Sequence, residues 1–147
     1  MFFVPLVVAG QMSRSEKVHL KSSDEIAKMR VTCGVTAQCH QLVRDMAKPG
    51  VSLIEIDQAC ESLIRKAGLV PAFQPVIAAG APGPFGFTVC TSVNDAVVHG
   101  VPNDYRLQEG DLLKADTGAV HDGWYSDAAI TVGIGEISPE AQHLINV

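Results

Sequence analysis

The segment from Asp111 to Val132 constrains the fold of this chain more than any other. Its two halves are stretches of apolar and small residues typical of β-strands. The sequence His121-Asp122-Gly123 between them is typical of a tight turn, because Asp-Gly readily adopts the positive φ values that hairpin loops need. Each half contains one aspartate, Asp116 before the turn and Asp127 after it. The segment therefore predicts a β-hairpin with one carboxylate on each strand.

The position of the turn decides how the two carboxylates are placed. A loop of two or four residues centred between positions 121 and 122 puts Asp116 directly opposite Asp127. A loop formed by Asp122 and Gly123 instead makes the two aspartates diagonal neighbours. In both registers they share one face of the sheet, with Cβ atoms about 5 Å apart if opposite and up to about 8 Å apart if diagonal. Because like charges at that distance repel, a divalent metal ion between them is the simplest expectation.

The composition is that of a globular protein, with 147 residues, of which 47% are hydrophobic and 18% charged. This length suits one domain with its own core. The net charge is -5 and the 11 lysines and arginines form no run, so binding to nucleic acid is not favoured, because neutralising phosphates needs clustered basic residues. The four cysteines lack C-x-x-C spacing, which indicates small buried hydrophobes in a reducing, cytoplasmic protein.

Residues 1–17 are predicted to be an N-terminal extension outside the domain. The stretch from Met1 to Ala9 is apolar but too short to span a bilayer, and it lacks the basic start and cleavage site of a secretory signal. The polar residues that follow Met12 are typical of a cytosolic N-terminus, which makes Met12 a candidate natural start. We therefore predict one domain over residues 18–147 and no association with a membrane.

Two amphipathic helices are predicted at the start of this domain. Ser22 with Glu25, and Ser52 with Glu55, have the spacing of a capping box. The first helix has an apolar stripe that extends to about Ala47 and consists of Ile26, Met29, Cys33, Ala37, His40 and Val43. The second helix has a stripe of Ile56, Ala59, Cys60, Leu63, Ile64 and Ala67 and ends at Gly68. We expect His40 to be a packed or half-exposed histidine, because no Asp, Glu or His accompanies it at helical spacing.

After Leu69 the pattern changes to that of β-strands. Residues 70–79 and 87–93 are predicted as strands on either side of a loop at 80–86 that is rich in Gly and Pro. Asn94-Asp95 is predicted as a turn, and residues 96–99 as the returning strand. Ser138, Pro139 and Glu140 mark the start of a last helix. Only about two turns can follow, and isolated short helices are marginally stable, so we expect the chain to be cut at Val147.

His99 is a third residue, with the two aspartates, that is suited to metal binding or catalysis. Two aspartates and a histidine suit a hard or borderline divalent ion, and a carboxylate that bridges two ions is usual in dinuclear hydrolases. The alternatives are solvated aspartates on an open sheet face and a structural histidine at a strand end. A thiol nucleophile at Cys90 with His99 as base is not favoured, because no helix N-terminus or third partner is evident that would lower the pKa of the thiol.

At these residues the sequence resembles the pita-bread metallopeptidases of family M24, and within them the type I methionine aminopeptidases. The resemblance begins with the helix at 24–30 and continues through Lys48-Pro49-Gly50-Val51. Its most specific part is Asn94-Asp95-Ala96-Val97-Val98-His99-Gly100-Val101-Pro102, followed by the segment from Asp116 to Asp127. It covers nearly all of the chain from about Val18 onward. The resemblance implies an α+β chain that corresponds to the N-terminal half of a pita-bread fold.

The resemblance also implies roles for individual residues. Asp116 resembles the terminal metal ligand and Asp127 the bridging one, in a centre of two divalent ions whose identity (Co, Mn, Fe or Zn) stays open. His99 resembles the histidine that contacts the scissile amide. Cys90 and Phe85 fall where the family lines its methionine pocket, and an apolar slot with a thiol and an aromatic ring suits a thioether. Ala79 and Pro82 depart from the family, which commonly has a cysteine and a tyrosine there.

The function implied is removal of the initiator methionine from nascent proteins, at the ribosome, by water that the metal ions activate. The family completes its centre with a histidine and two glutamates from a second half, and His143 precedes where that half would begin. We therefore expect this chain alone to be catalytically incomplete. Two alternatives are a proline-specific pita-bread peptidase and a non-catalytic binding module with the same fold. The sequence does not indicate an oligomeric state.

Overall fold

The computed structural model describes residues 20–147, so the predicted extension at 1–17 and the candidate start at Met12 lie outside the described residues. The element order is α1 (Ser23–Met46), α2 (Leu53–Lys66), β1 (Val70–Pro71), β2 (Val89–Val93), β3 (Leu112–Thr117), β4 (Ala119–His121), β5 (Trp124–Tyr125), β6 (Ala128–Gly133) and α3 (Pro139–Asn146). Helices followed by antiparallel strands confirm the α+β class. Among the described helices, none is both long enough and apolar enough to cross a membrane.

The first two helices begin where their capping boxes predict. In α1 the backbone N–H of Glu25 donates to Ser22 Oγ at 3.3 Å, and the backbone N–H of Ser22 donates to Glu25 Oε2 at 2.7 Å. Ser52 and Glu55 form the same reciprocal pair at the start of α2. Each pair satisfies backbone N–H groups that the first turn of a helix leaves without partners. The boundaries of α1 and α2 are therefore set by local sequence.

The predicted apolar stripe of α1 is wrong. The side chains that α1 buries are Thr32, Val35, Thr36, Cys39 and Val43, and of the predicted stripe only Val43 is buried. The two threonines can be buried because their hydroxyls are hydrogen bonded, Thr32 Oγ1 to the carbonyl of Met29 and Thr36 Oγ1 to Ser126 Oγ at 2.6 Å. The buried face of α2 agrees with its prediction at Ile56, Cys60 and Ile64.

The predicted hairpin exists, but it is divided between two sheets. β3 is the central strand of a sheet ordered β2-β3-β6, whereas β4 is central in a sheet ordered β1-β4-β5. Asp122 and Gly123 form the two-residue turn with φ values of 48° and 78°, as a type I′ turn requires. One register runs through both ladders, with Asp116 opposite Ala129 and His121 opposite Trp124. Asp127 is therefore the diagonal neighbour of Asp116, and the directly opposite register is wrong.

The hairpin changes sheet because its two strands approach closely at Gly118. A Cβ on Gly118 would lie 2.3 Å from the carbonyl oxygen of Ser126, a distance that real Cβ atoms do not reach. The carbonyl of Gly118 leaves the hairpin ladder and accepts a hydrogen bond from the backbone N–H of Ala72 at 3.0 Å. Ser126 and Asp127 consequently lie between β5 and β6 and outside both strands.

Two predicted strands differ from the structure. The strand predicted at 70–79 has only two residues, Val70–Pro71, because the chain turns after β1 into the loop that carries Phe73 and Val76. The returning strand predicted at 96–99 is absent, although the turn at Asn94-Asp95 is present. His99 has a φ of 57°, which is left-handed and incompatible with a β-ladder. The segment reaches β2 instead through two backbone hydrogen bonds, from Ala96 N–H to the Val93 carbonyl at 3.1 Å and from Thr91 N–H to the Gly100 carbonyl at 2.8 Å.

One contiguous core joins α1 and α2 to the inner sheet face. It contains Val35, Cys39, Val43, Ala47, Leu53, Ile56, Cys60, Ile64, Leu69, Val89, Leu107, Leu113, Ala115, Ala119 and Ile134. Since successive residues of a strand face opposite sides, burying Leu113, Ala115 and Thr117 turns Lys114 and Asp116 to the other face. The helices thus cover one side of the β2-β3-β6 sheet, and the candidate site lies on the other. α3 buries no side chain.

Replacing Gly100 by alanine should displace the segment that carries His99. The added Cβ would lie 2.2 Å from the carbonyl oxygen of Thr91 and 2.8 Å from the Cα of Ser92, and both are backbone atoms that cannot rotate away. We expect the free energy of unfolding, measured by urea titration, to fall by about 2 kcal/mol. The matched control is Gly34→Ala in α1, where nothing lies within 4 Å of the added Cβ. It should gain about 0.5–1 kcal/mol from helix propensity. Equal stability of the two variants would contradict the close approach at Gly100.

Candidate functional site

Strand β3 and the residues before β6 place the two aspartates beside one cavity. Asp116 is the fifth residue of β3, and it lies between Cys90 on β2 and Ala129 on β6. Asp127 comes directly after Ser126, whose carbonyl lies close to Gly118, and directly before β6. Both line a cavity of about 390 Å³ together with Cys90 and His99. Phe85 lines the same cavity. The structure thus brings together all five residues that the sequence indicated as site residues.

The carboxylate of Asp116 is in an unfavourable environment for a negative charge. Burial, then the charge of Asp127 and a hydrogen bond with it, raise the pKa of Asp116 to about 6, against a lowering effect of His99. Its Oδ1 atom is buried and has no hydrogen-bond partner in the described part of the chain. An orphaned buried carboxylate oxygen beside a second carboxylate is a feature that a bound cation would explain.

The two aspartates therefore fit a divalent ion as two of its oxygen ligands. Hard and borderline divalent cations take carboxylate oxygens, and an ion between Asp116 and Asp127 would satisfy Oδ1 and offset the repulsion. Within residues 20–147 no group of three or more His, Cys, Asp or Glu side chains converges as a ligand set. The described residues thus provide a pair of ligands and not a full coordination shell.

The rest of the cavity wall is mainly apolar. Phe85 comes from the loop rich in Gly and Pro, and its ring meets that of Phe87 edge to face, with centroids 5.7 Å apart and planes at 71°. Phe73 and Val76 add to the same wall from the turn after β1. The wall could accept an unbranched apolar side chain that ends near the carboxylates. Ala79 and Pro82, which depart from the family pattern, are not among its lining residues, whereas their neighbours Ala78 and Ala81 are.

Cys90 is part of the wall, and its surroundings favour the protonated thiol. Burial, followed by the charges of Asp116 and Asp127, raises the pKa of the Cys90 thiol to about 11. A thiol with that pKa is almost entirely protonated at neutral pH, so it cannot attack a carbonyl efficiently. This environment does not favour a reaction with Cys90 as nucleophile and His99 as base.

His99 reaches the cavity through a strained backbone conformation. Its φ of 57° is unusual for a residue with a side chain, and such residues cluster at functional sites. Gly100 fixes the segment next to it, because its N–H donates to Ser92 Oγ at 2.9 Å and its carbonyl accepts from Thr91 N–H. His99 lines both the main cavity and a smaller one of about 190 Å³ beside it. It is thus held at the edge of the carboxylate pair.

Asp57 supports the strand that carries Cys90 from the helix side of the sheet, and the sequence analysis did not predict this role. It lies on the buried face of α2, and its Oδ1 accepts hydrogen bonds from the backbone N–H groups of Thr88 and Val89 at 2.7 and 2.9 Å. Burial raises the pKa of Asp57, and the two hydrogen bonds act against that shift. These bonds fix the start of β2, which carries Cys90. The available signal was an aspartate inside the apolar stripe of a helix.

His40 and His143, two histidines considered in the sequence, do not line the cavity. His40 is half-buried, as predicted, and its Nε2 lies 3.0 Å from the carbonyl oxygen of Ala128, to which it must donate because a carbonyl only accepts. Burial lowers the pKa of His40; the hydrogen bond to Ala128 acts against this shift, and the charge of Arg44 adds to it. His143 lies in the last turn of α3.

Comparison with known proteins gives consistent matches. A family model described as metallopeptidase family M24 matches residues 27–147. The methionine aminopeptidase of Helicobacter pylori is 41% identical over 130 residues, which are 87% of this chain and 48% of that protein. The crystal structure of methionine aminopeptidase from Thermotoga maritima is similar with a TM-score of 0.79 at 32% identity, covering 88% of this chain and 50% of that one.

More distant structures share the fold alone. The prolidase from Pyrococcus furiosus has a TM-score of 0.66 at 22% identity, and the match covers 84% of this chain and 33% of that one. This chain spans about half the length of the curated relatives it matches, as the share of 48% in the Helicobacter pylori protein and 49% in the Clostridium perfringens protein shows.

Proposed function

This chain belongs to metallopeptidase family M24, and we propose that it serves the metal-dependent removal of the N-terminal methionine from peptides. Its likeness to methionine aminopeptidases and their pita-bread fold, expected from the sequence, is borne out by curated relatives at 35–41% identity and by the solved structures. One observation assigns the proposed activity to this site. A buried carboxylate oxygen of Asp116, which has no hydrogen-bond partner among the described residues, lies beside Asp127 in the lining of a mainly apolar cavity.

Asp116 and Asp127 are the residues that would hold the metal. A divalent ion there supplies Lewis acidity towards a peptide carbonyl and makes water more acidic. We propose two such ions, of Co, Mn, Fe or Zn, as the likeness to the family implies. The chain's own contribution is to hold the partly buried carboxylate of Asp116 close to the exposed carboxylate of Asp127, where a cation is favoured because it offsets their repulsion.

The other three site residues would bind and orient the peptide. Phe85 and Cys90, with Phe73, would enclose the methionine side chain, because a flexible thioether packs well against aromatic rings and a neutral thiol. His99 would donate a hydrogen bond to the amide that is cleaved, from the edge of the cavity next to the carboxylates. The substrates proposed are nascent proteins at the ribosome, in the cytoplasm.

Proline-specific cleavage is less well supported. The relatives at 35–41% identity are methionine aminopeptidases, whereas the prolidase is similar only in fold. The apolar wall also suits an extended methionine side chain better than the short ring of proline. We expect the zinc-loaded chain to bind the peptide Met-Ala-Ser, with amide chemical shifts that change at Phe85 and Cys90. The dipeptide Ala-Pro should leave these resonances unchanged at the same concentration, and the opposite preference would overturn the proposal.

Hydrolysis by the 147-residue chain alone should be small or absent. Only two candidate ligands converge within the described residues, and metal centres depend on a full set of ligands and their hydrogen-bonded supports. We expect no release of methionine from Met-Ala-Ser above the background of a sample in which Asp116 and Asp127 are both asparagine. Measurable turnover that disappears in this double variant would refute the expectation, although it would leave the site assignment in place.

A further inference from the structure

Lys114 lies on the same sheet face as the two aspartates and has no role in the function proposed so far. It precedes Asp116 by two residues on β3, so both side chains point to the side of the sheet that the helices leave uncovered. It also lines the smaller cavity of about 190 Å³ together with His99 and Asp116. In the part of the chain that the structure describes, its ammonium makes no ion pair with a carboxylate. It donates instead to the backbone carbonyl of Asn94 at 2.5 Å.

Asn94 is the residue at which the chain leaves β2 towards His99. Its φ of 52° is left-handed, and all four of its polar groups are hydrogen bonded. Its N–H donates to the Leu112 carbonyl, its side-chain Oδ1 accepts from Leu112 N–H, and its Nδ2 donates to Asp111 Oδ1. The Lys114 ammonium satisfies the fourth group, the carbonyl. Asn94 is thereby fixed to the strand that carries Asp116.

The rest of the segment from Asn94 to Gly100 has few other attachments. Ala96 N–H donates to the Val93 carbonyl, and Gly100 is held at the far end by Thr91 and Ser92. Val97 and Val98 between them are 76% and 63% exposed. The position of His99 therefore depends on how firmly the two ends of the segment are held, because its exposed middle contributes little.

We propose that Lys114 is a positioning residue, whose ammonium clamps the Asn94 carbonyl to β3 and so fixes His99 relative to Asp116. The proposal rests on the function proposed above, in which His99 and Asp116 act on the same peptide bond. A charged donor is suited to this task, because hydrogen bonds from an ammonium are roughly twice as strong as neutral ones.

Hydrogen exchange of individual amides, measured by NMR on the chain without metal or peptide, tests this clamp. In Lys114→Met, which keeps the apolar stem but loses the donor and the charge, the amides of Asn94, Ala96 and Gly100 should exchange at least about tenfold faster. The amides of Thr88 and Val89, which Asp57 holds, should keep their rates. Lys114→Arg retains a charged donor and should restore the rates to within about threefold of the original. Lys28→Met, an exposed change in α1, is the matched control.

The ring resonances of His99 give a second readout. They should shift in Lys114→Met and return in Lys114→Arg, whereas those of His121 at the hairpin turn should stay in place. Unchanged exchange between Asn94 and Gly100 in Lys114→Met would overturn the proposal. An equal acceleration at Thr88 and Val89 would also overturn it, because that pattern means general loss of stability. Since neither measurement involves metal or peptide, the clamp can fail while the proposed function stands, and the reverse.

Discussion

Replacing Asp116 and Asp127 by asparagine should abolish the binding of divalent ions to this chain. Asparagine keeps the shape of the side chain and removes the charge, so the fold should be retained. Each single replacement should weaken Mn²⁺ binding, measured by calorimetry, on the order of 10- to 100-fold or more, because each removes a ligand and not merely a support. The double replacement should give no measurable heat of binding.

Asp122→Asn is the matched control for these variants. Asp122 is an exposed aspartate on the same hairpin, at the first position of the turn with a φ of 48°, a conformation that asparagine adopts readily. Its replacement removes one negative charge without touching the cavity, so Mn²⁺ binding should stay the same. Binding that persists in the double variant, or that Asp122→Asn weakens equally, would mean that the ions associate with general negative charge and not with the pair.

Asp57→Ala should cause the largest loss of stability among the substitutions considered. Thr88 and Val89 are fully buried, and their backbone N–H groups have Asp57 Oδ1 as their acceptor. Leaving two buried donors unsatisfied should lower the free energy of unfolding by about 2–4 kcal/mol, measured by urea titration. The start of β2 should loosen as well, so the amide signals near Cys90 should shift.

Asp57→Asn separates the hydrogen bonds from the charge. Both bonds go to the same oxygen, which asparagine retains, so this variant should lose less than about 1 kcal/mol at neutral pH. Because burial raises the pKa of Asp57 in the folded state, the native chain holds this proton more tightly than the unfolded one. The aspartate's contribution to stability is therefore greatest at low pH and falls as the pH rises through the raised pKa. The loss in free energy of unfolding caused by Asp57→Asn should therefore be largest at low pH. A loss at neutral pH as large as that of Asp57→Ala would contradict this explanation.

Local signals in the sequence predicted the parts of the fold that depend on neighbouring residues. The capping boxes at Ser22 and Ser52 fixed the starts of α1 and α2. His121-Asp122-Gly123 predicted the turn of the hairpin, although it left two registers open. The hairpin register then determines which face of the sheet carries Asp116. These predictions succeeded because the interactions involved lie within a few residues along the chain.

Features that depend on distant contacts were not predictable in the same way. The buried face of α1 contains Thr32 and Thr36, and Thr36 is acceptable there only because Ser126, ninety residues later, supplies a hydrogen-bond partner. The absence of a strand at 96–99 follows from the left-handed conformation of His99, which no local pattern indicates. The role of Asp57 likewise depends on the backbone of β2, more than thirty residues away.

The candidate site was partly accessible from the sequence. The two aspartates, His99, Cys90 and Phe85 were proposed as site residues, and all five line the same cavity, although their roles stay predictions. Phe73 and Val76 were missed, because they come from a segment that was expected to be a regular strand. Lys114 carried no signal, since an isolated lysine on a half-exposed strand is common and its partner is a backbone carbonyl.

The most direct test asks whether one cavity holds both the metal ion and the methionine side chain. Mn²⁺ is paramagnetic and accelerates the relaxation of nearby protons, so the terminal methyl group of Met-Ala-Ser can report its distance from the ion in solution. We expect the chain with bound Mn²⁺ to accelerate the relaxation of this methyl group strongly, and the double variant Asp116→Asn with Asp127→Asn to have no such effect. Equal relaxation with the double variant, or no acceleration with the original chain, would show that the aspartate pair and the apolar cavity do not form one metal-dependent methionine site.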